Sequence, residues 1–104
     1  MPGIIADRIL FYSEKNSDVR NELIIRISSP FKVKEGEVDF VVGEQGAVGC
    51  RIETQGLDSE YIDNVYGIDS VQALNLATNL EPFLHRLSKK YDLFWDSGDP
   101  YFDG

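Results

Sequence analysis

The sequence predicts an α+β fold: an antiparallel meander of four to five strands packed on one long C-terminal helix. Three observations lead there. Short runs rich in β-branched and aromatic residues, each bounded by turn residues, fill the first two thirds of the chain. Helical periodicity occurs once, over Ile68–Tyr91. The strands precede the helix instead of alternating with it, which favours an antiparallel sheet over a parallel βαβ arrangement.

The first strand is expected over Ile4–Tyr12, followed by the polar turn SEKNSDVR. Asn21–Ser29 forms a second, with Leu23, Ile25 and Ile27 on one face and Ile24 on the other; Ser29-Pro30 ends it. Residues 32–37 are charged and read as a loop. Glu37–Val42 repeats the alternation with Val38, Phe40 and Val42 inward, and GEQG at 43–46 turns the chain. Ala47–Thr54 returns with Val48, Cys50 and Ile52 inward, and Gly49 marks a bulge or a close backbone approach. Tyr61–Tyr66 is a weaker fifth strand, and Leu93–Trp95 a short extended piece after the helix.

The helix is well marked at its start. Asp69 is a good N-cap, Gln72 stands where a capping-box partner belongs, and Ile68 is placed to fold back on Ala73. The apolar stripe comprises residues 73, 76, 77, 80, 84 and 87, with Phe83 and Tyr91 alongside. Pro82 interrupts the backbone ladder midway. Because the apolar phase runs through it, the expectation is one kinked helix, not two.

One hundred and four residues make a single domain spanning 1–104. No run reaches the apolar length of a membrane span, the N-terminus lacks the layout of a signal peptide, and one cysteine cannot form an internal disulfide. These features point to the cytoplasm. The net charge is −8. Residues 1–30 balance, whereas 31–68 carry eight acids against three bases and 91–104 carry four acids and no base. Such a surface repels phosphate backbones, so neither nucleic acid nor membrane is an expected partner.

Chemistry finds little support in these residues. Gly43, Gly46 and Gly49 have the wrong spacing for a phosphate loop and lead into a strand. His85, the only histidine, reads as a solvated helix residue, and Cys50 as a small core hydrophobe without an activating neighbour. The tail acids do not follow the calcium-loop pattern. No catalytic residue, cofactor or metal is expected.

The tail is more informative. Phe94, Trp95, Tyr101 and Phe102 interleave with Asp92, Asp96, Asp99 and Asp103. Aromatic rings among aspartates suit a basic protein partner, with Asp96, Asp99, Tyr101, Phe102 and Asp103 as candidate contacts. The competing reading has the rings stapling helix to sheet, with Phe94 and Trp95 packed beneath the sheet edge. A second surface follows from geometry: one helix covers one face of a sheet, leaving Ile24, with Leu10, Tyr12 and Val41, to line a face open to self-association.

The segment Gly67-Ile68-Asp69-Ser70-Val71-Gln72-Ala73-Leu74, followed by Leu76-Ala77, resembles the helix start of a family of small uncharacterised bacterial α+β proteins. Trp95 and Pro100-Tyr101-Phe102 are similar to that family's ending. The resemblance implies a fold and no activity. In size and acidity the chain is also similar to immunity proteins that neutralise toxins. The expectation is therefore a small acidic protein-binding module, immunity- or inhibitor-like, engaging a basic partner through loop 53–63 and the tail. A small-molecule module or minor enzyme with a cleft between helix and sheet, and a homodimeric structural protein, are the alternatives.

Overall fold

The computed structural model describes residues 3–33, 46–57 and 61–102. Its elements run β1 (Ile4–Glu14), β2 (Asn21–Ser28), β3 (Phe31–Val33), β4 (Ala47–Gln55), β5 (Ile62–Gly67), α1 (Ser70–Thr78), α2 (Glu81–Ser88) and β6 (Tyr91–Phe94). All pairings are antiparallel. The sheet reads β5, β4, β2, β1, β6 from edge to edge, with β3 continuing the line of β2 along β4. The α+β class is as predicted, but the meander is incomplete. After β5 the chain crosses as helices and returns as β6 at the opposite edge, beside β1.

Six strands form among the described residues, and one of them, β3, lies partly in the charged stretch expected to loop. The strand expected at 37–42, with Val41, and residues 43–45 of the turn lie outside the described residues. The extra strand has a local cause. Pro30 offers no donor, so β2 breaks from β4 and pairing resumes at Phe31 opposite Gly49. At the break the buried hydroxyl of Ser28 accepts the Arg51 N–H at 2.9 Å, replacing the missing ladder partner. Gly49 is a close approach: a Cβ there would lie 2.6 Å from the Phe31 ring.

Leu23, Ile25, Ile27, Cys50 and Ile52 are buried as expected, together with Leu10 and Tyr12. The last two correct the sequence reading, which put them on the open face. β1 carries apolar residues at both parities, and its register sets Leu10 opposite Leu23, leaving Ile9 opposite Ile24 on the other side. Paired residues share a face, so the core position of Leu23 decides the matter.

The helix is bent so sharply at Asn79–Leu80 that it becomes two segments. Asn79 adopts φ −79° and ψ 81°. In a continuous helix the Thr78 carbonyl would receive the N–H of residue 82, which is proline; it receives the Leu80 N–H at 2.9 Å instead. Pro82 then sits in the first turn of α2, where a missing donor costs nothing. Ala73, Ala77, Leu80, Phe83 and Leu84 face the sheet, but Leu76, on the expected stripe, is exposed. Tyr91 also leaves the helix: it opens β6 and packs edge-on against Tyr12 at 4.9 Å.

The start of α1 forms as the sequence predicts. Asp69 accepts the Gln72 N–H at 2.8 Å. The Gln72 side chain accepts the N–H of Ile68 at 2.7 Å, one residue earlier than in a capping box. Ile68 is exposed and does not fold onto Ala73. Replacing Asp69 with Ala is expected to lower stability by about 1 kcal/mol, measured by denaturant titration.

Candidate functional site

The candidate site is built where β6 turns back on itself. The Trp95 N–H donates to the Asp99 carbonyl, the Gly98 N–H to the Trp95 carbonyl and the Tyr101 N–H to the Leu93 carbonyl, each at 2.9 Å. Asp96-Ser97-Gly98 is thus a three-residue hairpin loop. Its last position has φ +93°, which glycine takes without strain. The Ser97 hydroxyl donates to the Asp99 carboxylate at 3.1 Å, bracing the loop internally. From the β1–β2 connection, the Arg20 guanidinium lies 3.8 Å from the Phe94 ring centroid and donates to the Gly98 carbonyl at 3.5 Å.

Tyr101 joins three elements. Its hydroxyl accepts from Arg8 of β1 at 2.9 Å and donates to Glu81 of α2 at 3.1 Å. Burial, and next the bond to Glu81, raise the phenol above its ordinary value. Trp95 lies 4.8 Å from the Tyr101 ring, with Arg8 5.6 Å from the indole centroid. Phe102 stacks on His85 at 4.1 Å, and His85 lies 3.9 Å from Glu81.

The candidate contacts therefore divide. Asp96 and Asp99 are exposed on the loop, while Tyr101 and Phe102 are half-buried against α2 and β1. Asp103 lies outside the described residues. Of the two rings expected beneath the sheet edge, Phe94 is half-buried and Trp95 is 40% exposed, while Tyr101 and Phe102, for which the sequence leaves both readings open, pack against the core. Sequence reasoning misses Arg8, Arg20 and Glu81 because they reach the tail from β1, the β1–β2 connection and α2, elements that only the tertiary fold brings beside it. One signal was readable, since Arg8 shares the parity of Leu10 and Tyr12, an arginine aligned with core residues.

The cleft reading can be placed as well. An open cleft of about 560 Å³ lies beside β6, lined by His85, Ser88, Tyr91, Phe94, Pro100 and Phe102 with other residues. At its mouth Lys15 pairs with Asp92 at 2.7 Å, so these two charges neutralise one another. Among the described residues no group of three His, Cys, Asp or Glu side chains could hold a metal ion, and no helix is long and apolar enough to cross a membrane. Cys50 is buried, and desolvation raises its thiol above the ordinary range, away from the reactive thiolate.

No protein-family model, curated protein or solved structure matches the chain in comparisons with known proteins.

Proposed function

We propose that the protein is a protein-binding module whose hairpin loop 95–100 engages a basic partner, in the manner of an inhibitor or immunity protein. The observation that carries this reading is Trp95, a large ring 40% exposed on a braced loop. Asp96 and Asp99 flank it, with no ion pair to either among the described residues. An exposed tryptophan offers a large contact area with little side-chain entropy to lose. The aspartates would steer a cation-rich surface toward it and repel acidic ones. Because the loop is already folded, binding would not carry the cost of ordering it.

The test uses three substitutions together, Trp95→Ala, Asp96→Asn and Asp99→Asn, which keep the Tyr101 bonds to Arg8 and Glu81 and the Phe102–His85 stack and remove the Trp95–Tyr101 ring contact. Captures from the native host's extract should retain a basic protein on the wild-type chain and lose it on the triple variant. Association should slow as salt rises. An unchanged set of captured proteins, with the variant's melting temperature also unchanged, would overturn the proposal.

A further inference from the structure

We infer that the cleft beside β6 is a small-molecule site that takes an uncharged aromatic compound bearing an oxygen substituent. It is distinct from the loop assigned above to a basic partner, because Trp95 does not line it. The feature that points to a ligand is Tyr91. This residue is only 4% exposed, yet its hydroxyl makes no hydrogen bond among the described residues. A phenol that far inside a fold ordinarily has a partner, since leaving water without one is costly. No buried side-chain polar atom among the described residues is left unpaired, so the Tyr91 oxygen is not sealed in the core. It opens instead on the cleft that Tyr91 lines.

The Tyr91 ring is held before any ligand arrives. Pairing with Glu14 fixes its backbone, the Tyr12 ring packs edge-on at 4.9 Å, and the Lys90 ammonium lies 5.3 Å from its centroid. The hydroxyl is thus a positioned donor whose bond is still to be made. Around it stand Leu93, Phe94, Pro100 and Phe102, and Phe102 is braced by its stack on His85 at 4.1 Å. Walls of this kind suit a flat ring, and the free donor suits an oxygen acceptor carried on that ring. The volume of about 560 Å³ falls within the range of sites for small organic molecules.

Charge selects against ions. At the mouth Lys15 and Asp92 pair at 2.7 Å, so neither calls for a counter-charge from the ligand. An anion would also have to approach a chain carrying −8. The other polar side chains of the cleft are engaged within the fold. The Ser88 hydroxyl donates to the His85 carbonyl at 2.7 Å, and His85 faces Glu81 at 3.9 Å. Tyr91 is therefore the group that orients the ligand.

Isothermal titration of the full chain with coumarin, an uncharged two-ring compound with a carbonyl acceptor, tests the inference. One site with Kd below about 1 mM is expected. Tyr91→Phe should weaken binding about fivefold and leave the melting temperature unchanged, because the lost hydroxyl has no partner among the described residues. Ser88→Trp fills the cleft from the end of α2 and should abolish binding; should that variant fold poorly, Tyr91→Phe carries the reading alone. Val71→Asn, on the exposed outer side of α1, should bind as the wild type does. Coumarin carboxylate, the same rings with a negative charge, should bind more weakly than coumarin. No binding of coumarin at about 5 mM would overturn the inference. So would equal affinities of the wild type and Tyr91→Phe, binding retained in a folded Ser88→Trp, or a carboxylate bound as tightly as coumarin.

Discussion

Replacing Gly56 with alanine is expected to prevent stable folding. Gly56 follows β4 with φ +108°, and a Cβ there would lie 2.1 Å from the Glu22 carbonyl oxygen. The obstacle is backbone, part of the paired start of β2, and cannot rotate aside. The unfavourable φ alone costs about 1–3 kcal/mol, and relieving the overlap requires β2 and β4 to separate. Separation would also break the bond from the buried Tyr12 hydroxyl to the Gly56 carbonyl. A combined loss above about 4 kcal/mol would consume much of the stability of a domain this size. Gly3→Ala is the control, because its Cβ would meet nothing within 4 Å. Circular dichroism melts should show a lost or strongly lowered transition for Gly56→Ala and none of this for Gly3→Ala. Equal melts would mean that β4 does not end against β2 as described.

Truncation after Gly98 is expected to lower the melting temperature by more than about 10 °C. It removes the Tyr101 bonds to Arg8 and Glu81, the two backbone bonds that close the hairpin, and the Phe102–His85 stack. Two half-buried rings and these bonds contribute on the order of 3 kcal/mol together. At about 4 °C or more per kcal/mol, the shift follows. Because truncation removes both packing and loop, it does not separate a folding role from a binding one, which is why the loop variants keep the Tyr101 hydroxyl bonds to Arg8 and Glu81.

Tyr101→Phe isolates the shared hydroxyl. The phenol is raised in the folded state, so the folded chain holds its proton more tightly than the unfolded one. The stability this contributes is complete below about pH 10, the ordinary tyrosine value, and is lost as pH rises through the folded value. The wild type should therefore weaken more steeply above pH 10 than Tyr101→Phe does. Parallel pH profiles would show that Tyr101 does not bridge β1 and α2.

The strands of residues 4–28 and 47–67 and the capped start of α1 were legible in the sequence because their signals are local. Alternation in Leu23, Ile25 and Ile27 fixes a buried face within one strand, and Asp69 reaches an amide three residues away. Even the break at Pro82 was visible as a missing donor, although the alternative acceptor geometry at Thr78 decided between a kink and two segments. What lay beyond the sequence depends on partners far along the chain. β1 has apolar residues at both parities, so only pairing with β2 could assign Leu10 and Tyr12 to the core and Ile9 to the open face. Tyr91 kept the helical phase by its spacing, yet pairing with Glu14 drew it into a strand. The sequence leaves Tyr101 and Phe102 open between contact and packing, because Arg8 is 93 residues from Tyr101, and for the same reason it reads Trp95 as packed. Composition determines that these rings and aspartates are present, but the non-local pairing of β6 with β1 determines which of them are spent on the fold and which remain exposed.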